Sequence, residues 1–207
     1  RASADAFRDL LGRGKFPVAL GGEHSITTGP VTAALERYPN LSVLQLDAHG
    51  DRRDAYEGDR YSHASVIARV KELGAKVTSV GIRSVDASEL PSLREDAVFY
   101  AADICGRLNW IPSAVESLAD DVYVTIDLDV FDPSVMPSTG TPEPGGLGWY
   151  EVVRLLRAVA ATRNVVAFDV VELAPSPEHR GPDFLAAKLV YTFLSYIFEK
   201  RAGAPPE

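Results

Sequence analysis

The stretch Val43-Leu44-Gln45-Leu46-Asp47-Ala48-His49-Gly50-Asp51 decides how the rest of the chain is read. An apolar run (Val43, Leu44, Leu46) leads straight into Asp47, His49 and Asp51, candidate metal ligands at every second position. In an extended segment, residues i, i+2 and i+4 leave the backbone on one side. One short segment would then aim two carboxylates and an imidazole at a single point. Packing does not account for a buried strand that ends this way, because Asp is almost never fully buried unless it is paired or holds a metal. A solvated acidic loop is the competing account of this stretch taken alone.

Working outward, a second strand repeats the pattern. The predicted strand Val122-Tyr123-Val124-Thr125-Ile126-Asp127-Leu128-Asp129 again ends in acids two apart, with Asp132-Pro133 beyond. Phe16-Pro17-Val18-Ala19-Leu20 leads into Gly21-Gly22-Glu23-His24-Ser25, where two glycines permit a tight turn. Ser25, Thr27 or Thr28 is expected to cap the following helix, with Pro30 in its first turn. A histidine at such a corner is, by itself, as well explained by a cap as by a metal. A last strand over 165–171 ends at Glu172.

Between these stretches the pattern predicts helices over 2–11, 64–73, 88–94 (broken by Pro91), 112–118, 149–161 and 184–198, strands over 77–82 and 97–101, and a polar tail after Phe198. Strands and helices alternate without hairpin signals. That predicts an α/β fold, a three-layer α/β/α sandwich around a central parallel sheet, with both sheet faces covered and the strands continuously apolar. In such sheets ligands bind beyond the carboxyl ends of the strands. His24, Asp47, His49, Asp51, Asp127, Asp129 and Glu172 all fall at predicted strand ends.

The composition is that of a single globular domain, 1–207, with 46% hydrophobic and 24% charged residues. A net charge of −8 argues against nucleic acid and anionic membranes as partners and suits a small cationic ligand. The single cysteine, Cys105, excludes an internal disulfide and a cysteine-based zinc site. Without a signal peptide or an apolar run of spanning length, the expected location is cytoplasmic. The chain opens on Arg1 and reaches its first strand within twenty residues, which leads us to expect an N-terminally incomplete domain.

Asp47, Asp51, Asp127 and Asp129 in one crevice could not all ionise unaided, because close like charges raise one another's pKa values. Two divalent cations would balance the four carboxylates. Oxygen ligands with two histidines and no thiolate favour Mn²⁺, and a metal-bound water ionises near neutrality.

Taken together, Gly21-Gly22-Glu23-His24-Ser25, Asp47-Ala48-His49-Gly50-Asp51, Ile126-Asp127-Leu128-Asp129 and Val171-Glu172-Leu173 resemble the motifs of the ureohydrolases, the arginase and agmatinase family. Asp54-Ala55-Tyr56-Glu57-Gly58, Tyr61-Ser62-His63 and Gly140-Thr141-Pro142 are closer to the agmatinase branch. The resemblance implies two Mn²⁺ ions, one held by His24, Asp47, Asp51 and Asp127, the other by Asp47, His49, Asp127 and Asp129. It implies attack of a metal-bridging hydroxide on the guanidinium carbon, with Asp51 moving the proton, Glu172 pairing with the guanidinium and His63 shuttling protons. Agmatine would yield urea and putrescine, and the protein would be a homo-oligomer.

Alternatives stay open at this stage. Glu172 also fits a structural ion pair, and His63 a helix cap. Asp169, of opposite strand parity to Glu172, reads as a buried hydrogen-bonding group, and His179 and Asp183 as helix N-terminal residues. Arg53 stands where arginases usually carry an asparagine. It is expected either to turn away toward Asp54 or Glu57, or to select an anionic tail such as that of guanidinobutyrate, guanidinopropionate or arginine. A catalytically silent regulatory relative is the reading from another class, and a mononuclear zinc deacetylase is disfavoured by the complete two-metal ligand set. Family members carry a further N-terminal segment with edge strands. Its absence would leave Val18–Leu20 as an exposed sheet edge and the chain poorly soluble.

Overall fold

The computed structural model describes residues 2–203; the end of the polar tail, 204–207, lies outside the described residues. Six parallel strands form one sheet in the order β1-β6-β5-β2-β3-β4. They are β1 (Val18–Leu20), β2 (Ser42–Leu46), β3 (Lys76–Ile82), β4 (Ala97–Tyr100), β5 (Asp121–Asp127) and β6 (Asn164–Val171). The helices are α1 (Ala2–Gly12), α2 (Thr28–Arg37), α3 (Val66–Glu72), α4 (Leu90–Leu93), α5 (Ala101–Ile104), α6 (Ile111–Glu116), α7 (Trp149–Thr162) and α8 (Gly181–Arg201). None of the described helices is long and apolar enough to cross a membrane.

Side chains leave each strand alternately, and here both directions meet a core. Leu44 and Leu46 of β2, with Val122, Val124 and Ile126 of β5, pack on one face against α6, α7 and α8. Val43 and Tyr123, from the same strands, pack on the other face with Phe7 and Leu11 of α1, Val31 of α2 and Ile67 of α3. The expected three-layer sandwich is the fold, and all five residues of β2 are buried because no face of the central strand is left to water. β1 lies at one edge of the described sheet, with Leu20 67% exposed.

The site follows from strand order. From β2 the chain moves outward to β3 and β4; from β5 it moves the other way to β6. The adjacent pair β2 and β5 is therefore the switch point, where the diverging connections open a crevice beyond the strand ends. The register Leu46↔Ile126 places Asp47 beside Asp127 there. Gly81 of β3 has φ +95°, and a Cβ at that position would stand 2.8 Å from Val130 Cγ2 and 3.0 Å from the Asp47 carbonyl oxygen. Only glycine fits that approach.

Several local expectations are corrected. β5 stops at Asp127, and Asp129 sits on a 3₁₀ turn, Leu128–Val130, because the Asp127 side chain accepts the Asp129 N–H and turns the chain. Another 3₁₀ turn, His24–Thr27, precedes α2 and is capped by Glu23, which accepts from Ser25 N; Thr27 holds the N-cap position of α2 as expected, but its side chain makes no capping hydrogen bond. Pro91 lies in the first turn of α4, where its missing N–H costs nothing, and does not break a helix. The one-turn helix α5 was not expected. It is too short to carry a period.

Candidate metal centre

Three of the four acids at the switch point are oriented by a backbone N–H. Asp127 Oδ1 accepts from Asp129 N at 2.9 Å, Asp129 Oδ1 from Ala48 N at 3.0 Å, and Asp47 Oδ1 from His49 N at 2.6 Å. The second oxygens face imidazoles. His24 Nδ1 stands 3.2 Å from Asp47 Oδ2, 3.1 Å from Asp51 Oδ2 and 3.4 Å from Asp127 Oδ2. His49 Nδ1 stands 2.9 Å from Asp129 Oδ2 and 3.7 Å from Asp47 Oδ1. Two donor groups result, His24-Asp47-Asp51 and Asp47-His49-Asp129, each with ligand atoms within 4.8 Å of one another. Asp47 belongs to both.

The convergence does not come from simple strand alternation. Asp51 has φ +53°, so the segment after β2 is not extended to its end. Its backbone is held in that conformation by Ile67 N, which donates to Asp51 O at 2.9 Å from the start of α3. Glu172 has φ +65°, is tied by its own N–H to Gly22 O at 3.1 Å, and accepts the His24 N–H through Oε1 at 2.7 Å. Left-handed backbone at a non-glycine residue is strained and is found where surrounding structure enforces it.

Electrostatics show what the cluster lacks. Burial, then the charge of Asp47, pushes Asp51 up to about 7, and burial with Asp47 and Asp129 pushes Asp127 well up. Burial opposes a charge on His49, yet Asp129 and Asp47 raise it to about 11. Burial likewise opposes a charge on His24, but Asp127, Asp47 and Asp51 lift it well above the usual imidazole range. Burial works to raise Asp47 as well, and the two histidines hold it below the usual carboxylate range. The acids thus favour positive charge at this point, whether as protons or as cations between the donors. His24 Nδ1 nevertheless has no hydrogen-bond partner, although it is buried and surrounded by three carboxylate oxygens. An orphaned ring nitrogen among carboxylates, with oxygen and nitrogen donors and no thiolate, fits hard or borderline divalent cations.

A cavity of about 570 Å³ opens over the cluster, lined among others by His49, Asp51, Asp127, Glu172, His63 and Arg53. His63 begins a 3₁₀ turn, with its ring 5.5 Å from that of Tyr56. The cap there is Ser62, not His63. Glu172 has the His24 backbone N–H as its partner, and among the described residues it forms no ion pair. Arg53 lines the cavity but turns to neither Asp54 nor Glu57. Its guanidinium lies over the Tyr56 ring, 5.1 Å from the centroid, and 3.7 Å from Asp86 Oδ2; Asp54 is taken by Arg60 and Arg69. Burial raises Glu172 above the usual carboxylate range.

Sequence reasoning missed a supporting chain. Buried Arg52 pairs with Asp96 and donates to Ser79 Oγ at 2.7 Å; Ser79 donates to Gln45 Oε1 at 2.7 Å; Gln45 Nε2 donates to Asp47 Oδ2 at 2.9 Å. A polar Gln45 inside an apolar strand was the one visible signal. Buried Glu89 accepts from Arg52 N and Asp86 N, closing the far side of the loop.

A parallel α/β sheet that gathers histidine and aspartate side chains at its switch point defines a class of fold whose crevice could hold metal ions, and a family model specifies which family this is. The model of the arginase family matches residues 1–195, and the chain belongs to that family. It is 43% identical over 202 residues to the N(1)-aminopropylagmatine ureohydrolase of Synechocystis, covering 95% of the chain and 66% of that relative. It is 38% identical to the agmatinase of Pyrococcus horikoshii, covering 85% of the chain and 61% of the relative. The crystal structure of the agmatine ureohydrolase of Thermoplasma volcanium superposes with a TM-score of 0.88 at 33% identity, covering 98% of this chain and 69% of that one. The chain therefore spans less than two thirds of the length of each of these two curated relatives, 66% and 61%.

Proposed function

We propose that the protein is a binuclear manganese amidinohydrolase that cleaves a small guanidino cation, agmatine foremost, to urea and an amine, here putrescine. The observation that carries this reading is the pair of donor groups meeting at Asp47. His24, Asp47, Asp51 and Asp127 would hold one Mn²⁺, and Asp47, His49, Asp127 and Asp129 the other. Bound there, the ions would supply a nucleophile from water at neutral pH and neutralise the four carboxylates.

The chain's own residues account for the rest. Glu172 lines the cavity with one carboxylate oxygen held by the His24 N–H and the other available to a guanidinium fork. Asp51, a buried carboxylate facing the cavity, is placed to take a proton and pass it to the leaving amine. His63, exposed at the cavity wall, is placed to exchange protons with solvent.

Arg53 does not exclude a cationic substrate, because Asp86 accompanies it and a tail ammonium meets a pair of opposite charges. The name of the 43% identical relative favours a second reading within the same chemistry, agmatine bearing an N1-aminopropyl tail. A cytoplasmic location and a homo-oligomeric state belong to the same proposal and are supported by the family resemblance.

The test is urea release by the Mn²⁺-loaded chain with agmatine, N1-aminopropylagmatine, arginine and guanidinobutyrate side by side. Preference for either amine-tailed substrate supports the reading. Preference for guanidinobutyrate assigns Arg53 to a carboxylate, and urea from none of the four overturns the proposal.

A further inference from the structure

Behind the ring of His24 lies a buried polar network to which the proposed reaction assigns no role. Asp169 of β6 is fully buried. Its Oδ2 accepts from the Tyr123 hydroxyl at 2.6 Å and from Thr27 Oγ1 at 2.9 Å, and its Oδ1 accepts from Thr125 Oγ1 at 2.6 Å. Thr125 Oγ1 lies 2.8 Å from His24 Nε2. Tyr123, Thr27, Thr125 and His24 are themselves fully buried, so water completes none of these bonds.

The wiring of hydrogens follows from counting them. A threonine hydroxyl has one hydrogen to give. Asp169 receives three hydroxyl hydrogens, the pattern of an ionised carboxylate, and bonds to a charged acceptor are the stronger ones. The Thr125 hydrogen therefore goes to Asp169, and toward His24 the Thr125 oxygen can only accept. Nε2 then carries the ring hydrogen. Nδ1 keeps its lone pair, on the side of the ring where Asp47, Asp51 and Asp127 stand.

We propose that Asp169 is a positioning residue that acts through Thr125 to hold His24 in the Nε2–H tautomer, with Nδ1 presented as a ligand, while Tyr123 and Thr27 hold the Asp169 carboxylate in place. The inference rests on the metal-centre reading. Burial raises Asp169 above the usual carboxylate range; the neighbouring His24 ring and then the three hydroxyl donors work against that rise. The partner that fixes a ligand histidine's free nitrogen contributes to metal affinity nearly as the ligand does.

The test compares the full chain with Asp169→Asn, Thr125→Val and Thr125→Ser. Asparagine can turn its NH₂ toward Thr125 and send the hydroxyl hydrogen to Nε2; valine removes the acceptor; serine keeps it. Mn²⁺ affinity is measured by competition titration, and ring protons by ¹⁵N-histidine NMR on the diamagnetic Zn²⁺-loaded chain. The expected result is a site at His24 weakened roughly 10–100-fold in Asp169→Asn and Thr125→Val, with the site at His49 unchanged. Thr125→Ser restores wild-type affinity. A slowly exchanging His24 Nε2–H is expected in wild type and Thr125→Ser, and is lost in Thr125→Val.

Wild-type affinity in both Asp169→Asn and Thr125→Val overturns the inference, as does an ion-bearing wild type without the Nε2–H signal. Thr125→Ser failing as Thr125→Val does would reduce Thr125 to a packing role and overturns it too. A wild-type chain that binds no ion overturns the metal reading itself, and this inference with it. Tyr123→Phe, which removes one donor to Asp169 and leaves Thr125 untouched, is expected to keep the Nε2–H signal even if its stability falls.

Discussion

Nδ1 of His24 lies 3.1 Å from Oδ2 of Asp51, on a line that no ring N–H can use. With the ring hydrogen on Nε2 and Asp51 ionised, both atoms are lone-pair carriers buried face to face. Such an arrangement costs free energy unless something positive stands between them. The same holds for Asp47 and Asp127 around the same nitrogen.

Metal affinity is therefore expected to rise with pH. Loading displaces protons from Asp51, raised to about 7, and from His49, raised to about 11. Below those values each displaced proton contributes on the order of tenfold per pH unit. Mn²⁺ titrations at pH 6 and pH 8 check this, and equal affinities at both would contradict it.

The stability of the metal-free chain has the opposite sign over the acidic side of that range. Asp51 is raised from 3.8 to about 7, so the folded chain keeps a proton that the unfolded chain has already released. Stability then falls as pH rises from about 4 to about 7. His49 is raised from 6.5 to about 11; its contribution is fully present below 6.5 and is lost as pH rises toward 11. Thermal melts in chelator across this range should show Tm decreasing with pH, and Mn²⁺ should reverse the trend near neutrality.

Asp129→Ala should loosen one ion and leave the other. Asp129 Oδ2 is the 2.9 Å neighbour of His49 Nδ1, and His24 does not depend on it. We expect one retained ion after dialysis and turnover reduced by at least roughly 100-fold, beyond the effect typical of residues that only support ligands. Two retained ions with full activity would sink the ligand assignment.

Arg53 and Asp86 form a loose pair, 3.7 Å apart and both more than a third exposed. Asp86→Ala should leave the Arg53 cation uncompensated, lowering kcat/KM for agmatine and raising it for guanidinobutyrate. Arg53→Ala should do the reverse. Shifts of roughly 3–10-fold are expected for partly solvated charges. Identical substrate profiles in the two variants would remove both residues from substrate selection.

Gly81→Ala should be among the more damaging single-methyl additions. The new Cβ meets Val130 Cγ2 at 2.8 Å and backbone at 3.0 Å, on a residue with φ +95°. Overpacking and strain together suggest about 2–5 kcal/mol. Chemical denaturation measures it directly, and a loss below about 0.5 kcal/mol, the range of neutral surface changes, would show the β3 contact to be slack.

Much of this was legible because the signals were local. Apolar runs ending in Asp47 and Asp127 gave the parallel strands and the edge of the sheet that carries the site. Asp169 was readable as a buried polar group from strand parity alone. What stayed hidden depends on distant partners. Arg52, Ser79 and Gln45 are joined only when β2 and β3 pair. The bend at Asp129 needs the Asp127 carboxylate to capture an N–H two residues on, and Arg53 meets Asp86 only because separate loops cross the cavity rim. The left-handed backbone at Asp51 and Glu172 is imposed by α3 and by Gly22, which no pattern in those residues announces.

Asp47 is the residue shared by both donor groups, so equilibrium Mn²⁺ binding to the full chain and to Asp47→Ala is the most direct measurement. The binuclear account predicts two ions per wild-type chain and neither held tightly by the variant. One ion in the wild type, or two retained by Asp47→Ala, would contradict it.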